Sequence, residues 1–113
     1  MLEPIARTQG VAVFRFMEAR LDAANAPTFR DWMAQAIDRG DVRIVLDMGG
    51  VDFVDSSGLG ALVGALKRVG ARGDLALASL QPSVQKAFRL TRMDRVFQIF
   101  PDTDSAMGHL KEA

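Results

Sequence analysis

Residues 51–68 read VDFVDSSGLGALVGALKR, a polar loop followed by an apolar run with helical spacing. Asp55, Ser56 and Ser57 are residue types that accept hydrogen bonds from the free N–H groups in the first turn of a helix. The stretch therefore predicts a helix that begins at a pair of serines. Such an end carries unpaired N–H groups and a partial positive charge, so an anion on either hydroxyl would meet a partly prepared environment.

The predicted helix has two unlike faces. At about 3.6 residues per turn, its large apolar side chains form one stripe, made of Leu59, Leu62, Val63, Leu66 and Val69. The opposite face is nearly bare and holds Gly60, Ala61, Gly64 and Arg68. Because a glycine within a helix costs roughly 0.5–1 kcal/mol relative to alanine, some other gain must offset the two glycines. Either a neighbouring element of the same domain packs closely there, or the face is a flat docking surface beside the serines.

The composition predicts one globular domain. The chain has 113 residues, of which 49% are hydrophobic and 25% charged, and its 14 basic and 14 acidic residues cancel. Net charge therefore gives no reason to expect binding to nucleic acid or anionic lipid. The absence of cysteine excludes disulfides, thiol redox chemistry and zinc–thiolate sites. The first residues do not resemble a secretory signal, and the longest apolar run, Gly58–Leu66, is too short to span a bilayer, so we expect a cytoplasmic protein.

The rest of the chain is predicted to alternate strands and helices. The predicted segments are a hairpin of Ile5–Thr8 and Val11–Phe16 with Gln9 and Gly10 at its turn, a helix opened by Asn25 and Pro27 and stopped by Gly40, strands at Val42–Met48 and Leu75–Ala78, a helix opened by Pro82, a strand at Val96–Phe100, and a helix capped by Asp102 or Thr103. With the serine helix, the order is β-β-α-β-α-β-α-β-α. This order predicts an α/β protein with one mixed sheet whose later strands are joined by right-handed helical crossovers.

The serine loop directly follows the strand Val42–Met48. That strand is mostly β-branched and apolar without strict alternation, as expected near the centre of a sheet covered by helices. Proteins with such sheets usually place their functional groups just past the carboxyl ends of the strands. The candidate site is therefore expected at that edge of the sheet.

The run Asp55-Ser56-Ser57-Gly58-Leu59-Gly60, preceded by Phe53-Val54, resembles the signature of the STAS domain, and specifically that of bacterial anti-sigma factor antagonists. The resemblance extends from Val11 to Leu110, because Leu21-Asp22 and Gly73 also fall where the family has them. It implies a single STAS-like domain over residues 1–113, with a mixed, mostly parallel sheet of about five strands and helices packed mainly on one face. One difference is Ala19-Arg20-Leu21-Asp22, where the group often has Gly-acidic-Leu-Asp, so the charge at Arg20 is reversed.

The resemblance also implies a phosphorylation switch. In the family, the residue after the motif's aspartate is phosphorylated by a partner that is both anti-sigma factor and serine kinase of the histidine-kinase-like ATPase type, and a serine phosphatase reverses the step. By motif position the acceptor here would be Ser56, with Ser57 as the alternative. The residues expected to contact the partner are Asp22, Asp55, Ser56, Ser57, Gly58, Gly60, Ala61, Gly64 and Arg68.

Electrostatics predict the direction of the switch. A phosphate adds about −1.5 to −2 charges, and Asp22, Asp52 and Asp55 would lie close to it with the same sign. Inside a closed interface, desolvation and repulsion exceed the helix-end benefit of roughly 0.3–1 kcal/mol. We therefore expect phosphorylation to release the partner without unfolding the domain.

Other readings of the same residues are less well supported. The two serines could serve only as helix caps, and a magnesium site built from Asp22, Asp52 and Asp55 is conceivable, although nothing in their spacing demands that they converge. The chain lacks a Gly-x-Ser-x-Gly elbow and a phosphate loop, and its one histidine, His109, falls in the last helix, so we expect no enzyme, no cofactor and no metal. Within the resembled family, an accessory subunit of a membrane lipid-transport complex and a component of another partner-switching pathway remain alternatives.

Overall fold

The computed structural model describes residues 1–111, so the last two residues of the domain predicted over 1–113 lie outside the described part. The strands are β1 (Leu2–Thr8), β2 (Val11–Phe16), β3 (Arg20–Leu21), β4 (Arg43–Asp47), β5 (Phe53–Val54), β6 (Asp74–Ala78) and β7 (Gln98–Phe100). The helices are α1 (Ala26–Asp38), α2 (Ser56–Val69), α3 (Pro82–Leu90) and α4 (Thr103–Leu110), and short 3₁₀ turns occupy Gly70–Arg72 and Met93–Arg95.

The predicted N-terminal hairpin is confirmed. β1 and β2 pair antiparallel, and the two residues between them, Gln9 and Gly10, have φ angles of 51° and 80°. Two successive residues with positive φ are typical of the tight turn whose twist matches that of a hairpin. The turn therefore fixes the register in which β2 enters the sheet.

The main sheet has five strands in the order β1-β2-β4-β6-β7. Apart from the hairpin, all neighbouring strands in it are parallel, and β4 lies at the centre. This confirms the predicted mixed, mostly parallel sheet and the central position of the strand before the serine loop. Since parallel strands end at the same edge, the loops that follow β2, β4 and β6 lie together.

Helices cover both faces of the sheet unequally. α1, α2 and α3 bury one face, where Phe29, Leu62 and Phe88 pack against strand residues such as Phe14 and Leu46. α4 alone covers the other face, where Ala106 and Leu110 contact the β-branched and small residues Val13, Val45 and Ala76. The predicted arrangement, with helices mainly on one face, is confirmed.

The buried face of α2 differs from the predicted apolar stripe. Its buried residues are Gly58, Ala61, Leu62, Ala65 and Val69, whereas Leu59, Val63 and Leu66 are only half-buried. Ala61 has no exposed surface, so the prediction that it lies on the bare outer face is wrong. Small side chains on the buried face let a helix approach its neighbours closely. The bulkier Leu59, Val63 and Leu66 lie at the margins of that face.

Candidate functional site

The site begins with a small second sheet that the sequence did not predict. β3 and β5 pair in parallel, with Arg20 opposite Phe53 and Leu21 opposite Val54. Two further backbone hydrogen bonds extend the contact, from Asp52 N to Ala19 O at 2.8 Å and from Asp55 N to Leu21 O at 3.2 Å. This sheet holds the loop after β2 against the loop after β4. It thereby brings the segments of Asp22 and Asp55 together at the carboxyl edge of the main sheet.

Asp55 is the N-cap of α2. Its Oδ1 accepts a hydrogen bond from Gly58 N at 2.9 Å, which satisfies one of the free N–H groups of the first turn. Its Oδ2 accepts from Ala23 N at 3.2 Å, so the same carboxylate also holds the opposite loop. The predicted start of the helix at the serine pair is confirmed, with the cap on the aspartate. Asp55 therefore fixes where α2 begins relative to the Asp22 loop.

The two serines occupy the first turn of α2 but differ in access. Ser56 is the first residue of the helix and is exposed, whereas Ser57 is half-buried. In the part of the chain that the structure describes, no hydrogen bond involves either hydroxyl. Of the two, Ser56 is the hydroxyl that another protein reaches more easily.

The Asp22 loop is ordered by its own side chains. Asn25 Oδ1 accepts a hydrogen bond from Asp22 N at 2.9 Å, and Asn25 Nδ2 donates to Arg20 O at 2.7 Å. Asn25 occupies the N-cap position of α1, as predicted, but its side chain supports this loop instead of capping the helix. Asp22 Oδ1 accepts from Ala24 N at 3.0 Å. The Asp22 carboxylate is thereby held at the surface, half-buried, beside the start of α2.

Arg20 links Asp22 to an exposed aromatic ring. Its guanidinium carbon lies 4.1 Å from the centre of the Phe53 ring, and its Nε lies 3.3 Å from Asp22 Oδ2. Phe53 is 39% exposed, although it is large and apolar. Phe53 is not among the site residues that the sequence predicts. A lone aromatic residue between two acidic residues in a loop, as in Asp52-Phe53-Val54-Asp55, was the signal that could have identified Phe53.

Gly58 belongs to the packing of the domain. It is buried, and a Cβ at this position would collide with the backbone carbonyl oxygen of Leu21 in β3. The residue expected to contact a partner here is instead the point where α2 approaches the small sheet most closely. Only glycine leaves room for that approach.

Gly60 and Gly64, in contrast, are exposed and are not required by packing within the domain. A Cβ on Gly60 would lie 3.7 Å from Arg30 Nη2, an ordinary contact, and a Cβ on Gly64 would have nothing within 4 Å. Of the two explanations offered for these glycines, close packing by a neighbouring element of the same domain is therefore wrong. The surface of α2 beyond Ser56 is left without side chains at both positions.

Arg68 marks the far end of this surface, about 18 Å along the helix axis from Ser56 at 1.5 Å per residue. Its Nη2 and Nε donate to the two carboxylate oxygens of Asp38 in α1, at 2.8 and 3.3 Å. The hydrogen bonds from Arg68 lower the pKa of the Asp38 carboxyl, and those to Asp38 raise the pKa of Arg68. Both side chains are about half exposed, so this ion pair is open to exchange with a partner's charges.

Neither a metal site nor a membrane span is found in the described residues. Within residues 1–111, no group of three or more acidic, histidine or cysteine side chains is placed to hold a metal ion. Asp52 contributes its backbone carbonyl to the site, which accepts a hydrogen bond from Ser83 Oγ at 3.0 Å. Over the same residues, the helices are too short or too polar to cross a bilayer.

Comparison with known proteins gives a consistent result. A family model described as the STAS domain matches residues 4–106. The chain is 33% identical over 106 residues to the anti-sigma F factor antagonist of Paenibacillus polymyxa, covering 92% of this chain and 87% of that protein. It is 28% identical over 98 residues to BtrV of Bordetella bronchiseptica, named as a candidate anti-sigma factor antagonist, covering 86% and 84%. A crystal structure of another candidate antagonist, from Thermotoga maritima, matches with a TM-score of 0.83 and 26% identity, covering 97% and 92%.

Proposed function

Because the chain belongs to the STAS domain family, we propose that it is an anti-sigma factor antagonist, which binds an anti-sigma factor while the Ser56 hydroxyl is free and releases it when Ser56 is phosphorylated. The observation that carries this proposal is the exposure of Ser56 in the first turn of a helix whose next exposed positions, Gly60 and Gly64, have no side chains. The names of the relatives above support the class of partner.

Binding would use the α2 surface together with the Asp22 loop. A partner can approach the backbone of α2 closely at Gly60 and Gly64, as small residues allow in helix packing. Around this flat strip lie Asp22, the exposed ring of Phe53 and, at the far end, Arg68. Charged groups at the margin and apolar contact near the serine are the usual composition of a protein interface.

Release would follow from the charge of the phosphate. The Gly58 N–H is already occupied by the Asp55 carboxylate, so a phosphate on Ser56 would have fewer first-turn N–H groups to bind and would lie beside an anion. Burial of such a dianion in an interface costs several kcal/mol, on general grounds, while solvent screens it on the free domain. Phosphorylation is therefore expected to weaken the complex without unfolding the chain.

The phosphoryl transfer would belong to the partners. The one histidine, His109, is in α4 on the opposite face of the sheet, with its ring 5.3 Å from that of Phe100, and so offers no general base to Ser56. We propose a histidine-kinase-like ATPase that is both anti-sigma factor and serine kinase, and a serine phosphatase that restores the hydroxyl. In this scheme the chain has no catalytic role, and it acts in the cytoplasm as a single STAS domain over residues 1–113.

The experiment is incubation of the purified chain with the anti-sigma factor kinase of its own organism and ATP, followed by mass mapping and binding measurements. We expect one phosphate on Ser56, Ser56→Ala to bind but not to be modified, and Ser56→Asp to bind at least about tenfold more weakly while melting normally. Ser57→Ala is the matched control and should behave as wild type. Phosphate on Ser57, or equal binding by all variants, would contradict the proposal.

A further inference from the structure

A second surface, remote from Ser56, combines positive charge with exposed apolar side chains. It spans the end of α3 and the turn after it and consists of Lys86, Arg89, Leu90, Arg92, Arg95 and Val96, which we call the basic surface. Residues 86–96 contain four basic residues and one acidic residue, Asp94, whereas the whole chain has zero net charge. Leu90 is 75% exposed and Val96 45%, and these are two of the four large apolar residues exposed in residues 1–111.

The basic surface is one continuous patch by helix geometry. At about 100° per residue, Lys86, Arg89 and Leu90 point away from the side of α3 that buries Val84 and Phe88. Arg92, Arg95 and Val96 follow in the tight turn, which backbone hydrogen bonds from Arg95 N to Arg92 O and from Val96 N to Met93 O close at 3.2 and 3.0 Å. The turn therefore places its charges next to those of the helix end.

The cations of the basic surface are unused within the domain. In residues 1–111, ion pairs join Arg7, Arg15, Arg20 and Arg68 to aspartates, but none involves the four cations of the basic surface. Moreover, Arg92 has a φ of 59°, in the left-handed region, at the position after the C-cap of α3. Glycine is the residue that suits this position. An arginine therefore occupies a position where the backbone favours glycine.

We propose that the basic surface binds an acidic segment of another protein, in which apolar side chains are interspersed with carboxylates. Three of the four cations are arginines, whose planar guanidinium groups bind carboxylates through paired hydrogen bonds. Leu90 and Val96 supply apolar contacts between the charges. A depression of about 380 Å³ beside the edge strand β7, lined in part by Arg89, Asp94, Ile99 and Phe100, can receive one of the apolar side chains of the segment.

A protein segment fits these residues better than a membrane or a nucleic acid. A helix that lies on a membrane needs a broad apolar face turned to the lipid, but the apolar face of α3 is buried in the core. A site for single-stranded nucleic acid without sequence preference combines cations with aromatic rings for base stacking, and the six residues of the basic surface include no aromatic ring. Its exposed leucine and valine offer nothing to phosphates, whereas they match apolar side chains on a protein.

Apart from Lys86, which is in the middle of α3, the basic surface lies at the end of α3 opposite the serine site. The start of α3 is bound to the serine loop through the hydrogen bond from Ser83 Oγ to Asp52 O, and the helix ends at Leu90, about 10 Å further along its axis. A segment bound at the basic surface would therefore not cover Ser56. Both sites can be occupied at once, and neither proposal depends on the other.

The test uses the full chain, labelled for NMR, and two synthetic peptides. In the acidic peptide, pairs of acidic residues (Asp and Glu) are separated by single Leu residues. In the matched neutral peptide, each Asp is replaced by Asn and each Glu by Gln. We expect the acidic peptide to bind at least about tenfold more tightly, to shift the amide signals of residues 86–96, and to weaken as salt is raised. Ser56→Asp should bind it as wild type does, which separates this proposal from the switch.

Substitutions test whether the residues of the basic surface bind the acidic peptide. Arg89→Glu with Arg95→Glu should abolish binding of the acidic peptide, and Arg92→Gly should weaken it while the domain stays folded. Arg39→Glu with Lys111→Glu changes the net charge equally at exposed positions elsewhere and should leave binding unchanged. Equal binding of both peptides, equal loss in the control pair, or binding to phosphatidylserine vesicles in place of the acidic peptide would overturn the proposal.

Discussion

Gly58 shows how one residue couples the packing of the domain to its candidate site. α2 meets β3 at this position, and the Gly58 N–H also donates the hydrogen bond by which Asp55 caps the helix. The absence of a side chain therefore sets both the distance between the helix and the Asp22 loop and the orientation of the first turn. Ser56, two residues earlier, depends on the same contact for its place at the surface.

We expect Gly58→Ala to lower the free energy of unfolding by about 1–3 kcal/mol, because the new methyl group meets a backbone oxygen that cannot move as a side chain does. Urea denaturation measures the change. Gly108→Ala is the control, since Gly108 is also within a helix but a methyl group added there would have nothing within 4 Å. That variant should be as stable as wild type or more stable by roughly 0.5–1 kcal/mol. A Gly58→Ala variant as stable as the control would show that β3 can shift.

At the scale of elements, the sequence predicted the long segments well and the short ones poorly. The hairpin turn at Gln9-Gly10 and the central strand carry strong local signals, namely a residue that tolerates positive φ and an apolar β-branched run. β3 and β5 have two residues each, which is too short for any periodic pattern. Their pairing, which assembles the site, depends on contacts between residues distant in sequence.

The sequence predicts only part of the buried face of α2, for a related reason. Periodicity identifies which residues share a helix face, and from the sequence the stripe of large apolar residues is predicted to face inward. In the fold, the small residues Ala61 and Ala65 are buried together with Gly58, Leu62 and Val69. The exposed glycines were recognised because their cost is a local property of the helix, whereas the burial of Ala61 is a property of its neighbours.

The contribution of one N-cap, Asp102 of α4, to stability can be tested through its pH dependence. Asp102 Oδ1 accepts a hydrogen bond from Ser105 N at 2.7 Å, and this bond lowers the pKa of the Asp102 carboxyl below its usual value of 3.8. A lowered pKa in the folded state means that the cap stabilises the fold fully above that usual value and loses this effect as the pH falls through the folded pKa. Asparagine caps helices about as well and does not titrate.

We therefore expect Asp102→Asn to be close to wild type at neutral pH and to lose less stability than wild type below about pH 4. Thermal melting of both proteins over a pH series measures the difference, and the Asp38–Arg68 pair, present in both, cancels in the comparison. Parallel pH profiles would mean that the ionisation of Asp102 is not coupled to folding.

At the scale of the whole molecule, the fold separates the hydrophobic core from the proposed docking surface. The core lies between the sheet and its helices, while the exposed serine and the Asp22 loop lie at one edge of the sheet and the two bare glycines continue along the exposed side of α2. α4 is on the other face, and the basic surface lies at the far end of α3. A charge added at Ser56 therefore changes the surface offered to a partner and leaves the core untouched. The same separation predicts that some substitutions will strengthen the fold and weaken binding.

The double variant Gly60→Ala, Gly64→Ala is expected to strengthen the fold and weaken binding. Both positions have room for a methyl group, so the variant should unfold with a free energy about 1–2 kcal/mol higher than wild type. Its affinity for the anti-sigma factor should fall at least about tenfold, because two methyl groups would stand between closely packed surfaces. Gly108→Ala, which adds helix stability on α4, should leave that affinity unchanged. Denaturation and binding assays on the same preparations measure both effects. If the double variant were stabilised and still bound as tightly as wild type, the α2 surface could not be the docking site, because no partner would then be close enough to detect the added methyl groups.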